Sequence, residues 1–252
     1  MTALVEIKES PRRRLPPWFK VPMPGGANFI EVQNLLQQSK LHTVCQEAHC
    51  PNIGECWESR SATFMILGDI CTRRCHYCAV TTGKPFTLDL EEPQRLASTV
   101  ERLGLRYCVI TSVNRDDLPD GGGFIFAQCI RQIRQRLPEC RVEVLIPAFQ
   151  GSRPALNTVM RAIPDVLNHN IETVHRVFHS VRPKGDYQRS LELLARAKEI
   201  APTAVTKSGM MVGLGEERDE IVQTMKDLRS VDCDLLTIGQ YRFELQNESC
   251  LL

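Results

Sequence analysis

The chain has 252 residues, and hydrophobic residues make up 42% of them, which is enough for one sizeable core. The formal net charge of +1 argues against a nucleic-acid-binding surface, and no apolar run is long enough to cross a membrane. Because the 11 cysteines occur without a secretory signal core, we expect unpaired thiols in a reducing cytoplasm and neither a nucleic-acid nor a membrane partner.

The first 40 residues are predicted to form an irregular wrap over the rest of the protein. Prolines and glycines interrupt this segment, in Pro16-Pro17-Trp18-Phe19 and between Pro22 and Gly26. Residues of these types end helices and strands. We therefore expect regular structure to begin after residue 40.

A first group of cysteines follows this segment. Cys45, Cys50 and Cys56 have C-x4-C-x5-C spacing, and Pro51 and its neighbours indicate a loop. Three thiols could hold an iron–sulfur cluster that lacks a fourth cysteine ligand. A metal knuckle or three unrelated thiols are the alternatives. His49 is either an additional ligand or a surface imidazole.

A second group of cysteines is the most informative part of the sequence. Cys71, Cys75 and Cys78 have C-x3-C-x2-C spacing and directly follow an apolar run. One such loop can bind three corners of an iron–sulfur cube, and the fourth iron is then open to a small molecule. Structural zinc is the alternative, but it usually needs two Cys-x2-Cys pairs and only one is present. The spacing therefore favours a catalytic cluster.

The rest of the chain alternates between predicted strands and helices. The strands are expected at 62–67, 107–113, 142–146, 166–171, 205–212 and 235–239. The helices are expected at 92–103, 124–136, 155–162, 189–200 and 221–229. This order predicts an α/β fold, a partial TIM-type (βα)6 barrel with an N-terminal cluster-binding extension and chemistry at the carboxyl ends of the strands. Four further cysteines are expected to be small buried residues, namely Cys108, Cys129, Cys140 and Cys233.

Both cysteine groups, in this order, resemble those of lipoyl synthases of the radical S-adenosylmethionine superfamily. The resemblance covers residues 15–241 and continues through four further motifs, at Thr111–Gly122, Asn168–Glu172, Val181–Tyr187 and Lys207–Glu216. C-x3-C-x2-C spacing alone is typical of the whole superfamily. The additional group at 45–56 is what favours lipoyl synthase.

The resemblance implies two four-iron clusters. Cys71, Cys75 and Cys78 would hold the first cluster, whose open iron chelates S-adenosylmethionine and whose electron releases a 5′-deoxyadenosyl radical. Cys45, Cys50 and Cys56 would hold the second, auxiliary cluster. Its sulfide would be inserted at C6 and C8 of an octanoyl chain on a carrier-protein lysine, and the cluster would be consumed.

The implied partners follow from this reaction. The carriers would be octanoylated lipoyl-carrier domains of 2-oxoacid dehydrogenase complexes or the glycine cleavage H protein. Ferredoxin or flavodoxin would be the reductant. The chain would then comprise the wrap at 1–40, an auxiliary-cluster loop at 41–60, the radical barrel at 61–241 and a divergent tail at 242–252.

Several residues are expected to contact S-adenosylmethionine. Tyr77 would cover the adenine, or it would shield the cluster from water. Gly121 and Gly122 would let the backbone approach the methionine amino group, with a plain turn as the alternative. Three nearby acids are expected to serve turns and helix caps rather than a divalent metal site, namely Asp116, Asp117 and Asp120.

The later strands provide further candidate contacts. Asn170 and Glu172 end the fourth predicted strand and would contact the ribose or the carboxylate. Arg182 would bind a carboxylate or pair with a neighbouring acid. Gly213 and Glu216 follow the fifth predicted strand. The third glycine of a dinucleotide-binding fingerprint is missing there, so we expect instead that the backbone closely approaches the adenine or ribose.

The sequence departs from the family pattern after Tyr241. Lipoyl synthases continue to an Arg-Ser-Ser-Tyr motif whose serine ligates the auxiliary cluster, whereas this chain ends in a short polar segment with Ser249 and Cys250. We expect a truncated or frame-shifted product, in which either residue is a weak substitute ligand. One alternative is therefore a remnant with one cluster that cleaves S-adenosylmethionine without sulfur insertion. Another is an enzyme like biotin synthase, although the group at 45–56 argues against it.

Overall fold

The computed structural model describes residues 24–241. Within that range seven strands lie side by side in one sheet, in chain order. The strands are β1 (His42–Thr43), β2 (Thr63–Ile66), β3 (Tyr107–Ser112), β4 (Arg141–Leu145), β5 (Val166–Asn168), β6 (Val205–Val212) and β7 (Leu235–Gln240). Strands β2 to β7 are parallel to their neighbours, and β1 is antiparallel to β2.

Nine α-helices accompany the strands in the described range. They are α1 (Ala27–Gln38), α2 (Val44–Glu47), α3 (Ile53–Glu58), α4 (Glu92–Leu103), α5 (Gly123–Arg136), α6 (Arg153–Met160), α7 (His175–Val181), α8 (Tyr187–Ile200) and α9 (Arg218–Ser230). Helices α4 to α9 lie in the five connections between consecutive parallel strands, so the predicted α/β fold with six parallel strands in a partial barrel is confirmed. No helix of residues 24–241 is long and apolar enough to cross a membrane.

Helix α4 shows how local sequence sets these elements. Pro93 lies in its first turn, and Gly104 ends it in the left-handed conformation, with φ of 62°. Its buried face has Leu96, Val100 and Leu103 at helical spacing, each at most 3% exposed. Burying each such side chain contributes about 1.5–3 kcal/mol. The predicted bounds of this helix are the observed ones.

Strand β2 is buried on both faces, as is typical of parallel strands in a barrel, whereas β7 at the edge of the sheet is mostly exposed. Phe64 and Ile66 of β2 and Cys108 and Ile110 of β3 are 0% exposed. The four cysteines predicted as buried residues, Cys108, Cys129, Cys140 and Cys233, are all buried. The core therefore fills the space between the sheet and its helices and places strand ends at a common edge.

A polar cluster joins four of the parallel strands. Glu143 of β4, only 4% exposed, accepts hydrogen bonds from Tyr107 of β3, Asn168 of β5 and Lys207 of β6. The Asn168 and Lys207 bonds are each 2.9 Å long. Burial alone would raise the pKa of Glu143, but these three donors lower it. Because a buried charge is tolerated when it is paired, the cluster stabilises this part of the barrel.

The expected irregular wrap is wrong for residues 27–38, which form α1. Its buried side chains Val32, Leu35 and Leu36 pack against the core, and the Phe29 ring lies 5.0 Å from that of Trp57. These apolar residues have helical spacing, which the preceding prolines obscured. The predictions for residues 1–23 and 242–252, including Pro16, Ser249 and Cys250, concern residues outside the described range, and the domain boundaries stay a prediction.

The loop expected at residues 45–56 is also partly wrong, because α2 and α3 lie there. Thr43 precedes α2, and its hydroxyl accepts a hydrogen bond from the Gln46 N–H at 3.3 Å. This N-cap starts a helical turn despite the lack of apolar periodicity. Pro51 lies between the two helices, where the prediction of a turn holds.

Candidate active site at the carboxyl edge of the sheet

A cavity of about 860 Å³ opens at the carboxyl ends of the parallel strands. This volume lies within the usual range for small-molecule sites. Seven of the predicted site residues line it, namely Cys71, Cys75, Tyr77, Cys78, Asn170, Glu172 and Arg182. No other cysteine of residues 24–241 lines it.

The first cysteine of the second group is held tightly by backbone contacts. The N–H of Cys71 donates to the Thr81 carbonyl at 2.9 Å, and its carbonyl accepts from the Gly83 N–H at 3.0 Å. Its sulfur accepts two further backbone N–H groups, from Arg73 at 3.4 Å and from Asn114 at 3.3 Å. Backbone N–H groups of this kind are typical neighbours of cysteine sulfurs that bind a cluster, so the surroundings of Cys71 suit that role.

The other two thiols of this group share its electrostatic environment. Burial raises the pKa of Cys78, as do the nearby Cys75 and Cys71, whereas a backbone hydrogen bond from Val80 lowers it. Burial also raises the pKa of Cys75, against which Arg182 and a Tyr77 hydrogen bond act. The three thiols are therefore close neighbours at one cavity.

These thiols fit a cluster better than a single metal ion. In the described part of the chain no group of three Cys, His, Asp or Glu residues is arranged to hold one ion. Zinc would need four ligands around one point, whereas a cubane cluster spreads its ligands over separate irons. With no further cysteine of residues 24–241 at the cavity, three thiols would leave one iron open.

Arg182 and Glu172 form a largely buried pair of opposite charges that lines the cavity beside Cys75 and Tyr77. The Arg182 side chain is 7% exposed, and its Nη1 lies 4.0 Å from Glu172 Oε1 and 3.4 Å from the Asn170 carbonyl. Its Nε is buried and has no hydrogen-bond partner among the described residues. Burial raises the pKa of Glu172, and Arg182, Tyr77 and Asn170 lower it. Both predicted roles of Arg182 fit this geometry. Its contact with Glu172 is long, at 4.0 Å, and its Nε–H remains available to a ligand carboxylate.

The chain after β5 turns sharply to place these groups. Strand β5 ends at Asn168, earlier than predicted, and Glu172 has a left-handed φ of 67°. Its N–H donates to Gly209 at 3.0 Å, and its carbonyl accepts from Met211 at 2.7 Å. Strained conformations of this kind cost about 1–3 kcal/mol and cluster at functional sites. Hydrogen bonds to β6 hold Glu172 in this conformation.

Gly209 is a site residue that the sequence did not indicate. A Cβ at this position would lie 2.6 Å from Asn170 Oδ1 and 3.1 Å from Thr237 Oγ1. The missing side chain therefore leaves room for the Asn170 amide beside the cavity. A glycine inside a strand pattern can signal such a close approach, although β6 offered no other cue.

Four of the predicted contacts are not among the described residues that line the cavity. Gly121 and Gly122 have φ of 60° and 92°, and a Cβ on Gly122 would overlap the Leu67 side chain. A tight, closely packed turn before α5 accounts for both glycines. Glu216 accepts hydrogen bonds from the Gly213 and Leu214 N–H groups and closes the loop after β6. A cofactor contact of these four residues stays a prediction.

Of the three acids after β3, Asp120 has the predicted role in a turn and a helix start, whereas Asp116 and Asp117 form ion pairs with arginines. Asp120 accepts from the N–H groups of Gly122 at 3.0 Å and Phe124 at 2.7 Å, at the start of α5. Asp116 pairs with Arg73, and Asp117 pairs with Arg115. In residues 24–241 no group of acids suited to a metal ion is found.

The first cysteine group borders the same cavity. Burial raises the pKa of Cys56, and so do the neighbouring thiols of Cys45 and Cys50. The segment that contains them contributes four residues to the cavity wall, namely Val44, Ala48, His49 and Pro51. One group of three free thiols therefore lines the cavity, and the segment that carries the other group borders it.

Comparisons with known proteins agree with this arrangement. A family model described as the radical SAM superfamily matches residues 65–228. A second model, described as the N-terminal domain of lipoyl synthase, matches residues 2–50. The chain is 58% identical to lipoyl synthase of Roseiflexus sp. (strain RS-1) over 232 residues, 92% of this chain and 77% of that protein. It is 56% identical to lipoyl synthase of Rubrobacter xylanophilus over 240 residues, 95% of this chain and 75% of that protein.

Solved structures share the fold at low sequence identity. The FeFe-hydrogenase maturase HydG matches with a TM-score of 0.59 and 19% identity, over 73% of this chain and 43% of that chain. Methylornithine synthase matches with a TM-score of 0.54 and 12% identity, over 71% of this chain and 53% of that chain. The matches therefore cover about half the length of these two structures.

Proposed function

The chain belongs to the lipoyl synthase family of radical S-adenosylmethionine enzymes, and we propose that it inserts sulfur at C6 and C8 of a protein-bound octanoyl chain. The observation that carries the proposal is that one three-cysteine group lines the cavity and the segment that carries the other borders it. Enzymes of this family use S-adenosylmethionine and four-iron clusters. Radical chemistry alone would need only one of the two groups.

Cys71, Cys75 and Cys78 are assigned to the radical cluster. When bound, this cluster and S-adenosylmethionine supply the radical chemistry that removes hydrogen from an unreactive C–H bond. The chain provides three thiols and two N–H donors to the Cys71 sulfur, and no fourth thiol of the described residues lines the cavity. An open iron beside the cavity is what the amino and carboxylate groups of S-adenosylmethionine require.

The charged residues beside these thiols are assigned to S-adenosylmethionine. Arg182 provides a buried cation whose Nε lacks a partner among the described residues, which suits a carboxylate. Glu172 and Asn170 offer acceptors and donors for ribose hydroxyls or an ammonium group. Tyr77 lies between two of the cluster cysteines and lines the cavity, where its ring can cover an adenine.

Cys45, Cys50 and Cys56 are assigned to the auxiliary cluster that donates sulfur. Their segment borders the cavity through Val44 and His49, so the sulfur source and the site of hydrogen removal would share one enclosed space. This proximity supports the proposal because a substrate radical must meet its sulfur before it reacts elsewhere.

The enzyme acts on lipoyl-carrier proteins, and the specific partners are inferred from family membership. The carriers would be octanoylated domains of 2-oxoacid dehydrogenase complexes or the glycine cleavage H protein, with ferredoxin or flavodoxin as reductant. The reaction would take place in the cytoplasm. The free thiols of the described residues support a reducing compartment.

Single-cysteine variants test the two assignments separately. Anaerobically reconstituted protein is given S-adenosylmethionine, dithionite and an octanoyl-lysine peptide, and 5′-deoxyadenosine and lipoyl product are measured. Cys71→Ala should abolish both products, whereas Cys45→Ala should retain 5′-deoxyadenosine and lose the lipoyl product. Cys140→Ala, a buried cysteine elsewhere, is the matched control.

The same assay distinguishes lipoyl synthesis from the alternative function, that of a remnant with one cluster that cleaves S-adenosylmethionine without inserting sulfur. Unsubstituted protein that forms 5′-deoxyadenosine without lipoyl product would contradict sulfur insertion and favour the remnant. Retention of lipoyl product in Cys45→Ala would contradict the auxiliary-cluster assignment.

A further inference from the structure

Hydrogen bonds and an ion pair join the loop of the second cysteine group to the loop after β3. Four residues form them, and we call this set the clasp: Thr72, Arg73, Asn114 and Asp116. The Thr72 N–H and hydroxyl both donate to the Asn114 carbonyl, at 3.0 Å and 2.9 Å. The Thr72 hydroxyl in turn accepts from the Asp116 N–H at 3.0 Å. Backbone and side chain thus join two loops that are about 40 residues apart in sequence.

A buried ion pair completes the clasp. Arg73 Nε and Nη2 donate to the two carboxylate oxygens of Asp116 at 2.7 Å and 2.8 Å, and Nη1 donates to the Lys184 carbonyl at 3.3 Å. The Arg73 side chain is 5% exposed. Such two-pronged, desolvated pairs are strong and directional. The pair therefore restricts how the two loops can move relative to each other.

The clasp determines what the Cys71 sulfur contacts. Its two N–H donors belong to Arg73 and Asn114, which are themselves clasp residues on the two joined loops. The other thiols have donors of different origin, since Cys75 interacts with Tyr77 and Arg182 and Cys78 with the backbone of Val80. A shift between the two loops would therefore affect Cys71 most directly.

We propose that the clasp is a positioning device that keeps these two N–H groups on the Cys71 sulfur and thereby sets the reduction potential of the radical cluster. The inference rests on the proposed function. Hydrogen bonds to cluster sulfurs favour the reduced, more negatively charged state, so they raise the potential. Arg73 and Asp116 act through Cys71 and are positioning residues.

Asp116→Asn tests the inference, with Asp117→Asn as its matched control. Asp117 is adjacent to Asp116 and forms a similar two-pronged ion pair, with Arg115. The Arg115 side chain donates to the carbonyls of Leu67 and Phe86 and not to the cysteine loop. The measurement is a redox titration of the reconstituted full chain, followed by electron paramagnetic resonance. The signal that changes when S-adenosylmethionine is added identifies the radical cluster.

The expected result is a more negative midpoint potential of that signal in Asp116→Asn, with equal iron content and with Asp117→Asn like the unsubstituted protein. Weakening of one ordinary hydrogen bond changes an equilibrium by up to about tenfold, which is about 59 mV for one electron. Arg73→Lys, which keeps the charge but loses the fork, should shift the potential in the same direction.

Three results decide against the inference or against its premise. Equal potentials in Asp116→Asn and Asp117→Asn, at equal iron content, would overturn it. Loss of iron from both clasp variants but not from Asp117→Asn would also overturn it, because the clasp would then maintain the loop fold rather than the potential. Unsubstituted protein without any signal that responds to S-adenosylmethionine would instead contradict the proposed function.

Discussion

Replacing Gly209 by alanine should weaken binding of S-adenosylmethionine while leaving the fold almost unchanged. The added Cβ would lie 2.6 Å from Asn170 Oδ1, which is too close, so the Asn170 amide must move. That amide interacts with the Glu172 carboxylate on the cavity wall. Because the displaced atom ends a side chain, the effect on the free energy of unfolding should stay below about 1 kcal/mol.

The effect on binding should be larger. A hydrogen bond that involves a charged group contributes about 1.5–3 kcal/mol, which corresponds to a Kd for S-adenosylmethionine that is roughly 10- to 150-fold higher. The assay is titration of the reconstituted enzyme with S-adenosylmethionine, followed through the cluster spectrum. Gly83→Ala is the matched control, because Gly83 does not line the cavity and its Cβ would meet only Ile70, at an ordinary contact distance of 3.4 Å. Equal Kd values for Gly209→Ala and Gly83→Ala would refute the assignment of Asn170 and Glu172 to the cofactor.

Two further predictions concern stability, measured by urea unfolding of the protein. Glu143→Gln should lower the free energy of unfolding at pH 7 by about 2–4 kcal/mol, because Lys207 loses its buried partner. Since the folded-state pKa of Glu143 is lowered, its contribution is complete above the unfolded-state pKa of about 4.3 and is lost as pH falls through the folded-state value. The variant should therefore lack that part of the acid dependence, and an unchanged acid dependence would contradict the cluster's role. Gly122→Ala should destabilise more than Gly104→Ala, because both have positive φ but only a Cβ on Gly122 meets a side chain, that of Leu67; equal losses would contradict the packing argument.

The parallel sheet and most of its helices could be predicted because their signals are local. Helix α4 has a proline in its first turn, an apolar face and a terminal glycine, and its bounds were predicted to the residue. Helix α1 was missed although its apolar residues have helical spacing, because the preceding prolines dominated the pattern. Short elements such as α2 depend on one capping side chain, that of Thr43, which pattern analysis does not weigh.

The candidate site was predictable only in part, for a similar reason. Cysteine spacing identifies Cys71, Cys75 and Cys78, because these three candidate ligands lie close together in the sequence. The roles of Arg73 and Gly209 depend on contacts between segments distant in sequence, with Asp116 and Asn170, and no local pattern encodes them. Gly122 was predicted as a cofactor contact, but it packs against the Leu67 side chain. A glycine-rich turn has the same sequence pattern whether it approaches a ligand or a neighbouring side chain.

Iron and acid-labile sulfide per chain, measured after anaerobic reconstitution, test the central claim that two three-cysteine groups hold two clusters. The account predicts about eight of each in the unsubstituted protein, and about four in either Cys45→Ala or Cys71→Ala. About four in the unsubstituted protein, with no further loss in Cys45→Ala, would contradict the auxiliary cluster. Zinc in place of iron would contradict the account as a whole.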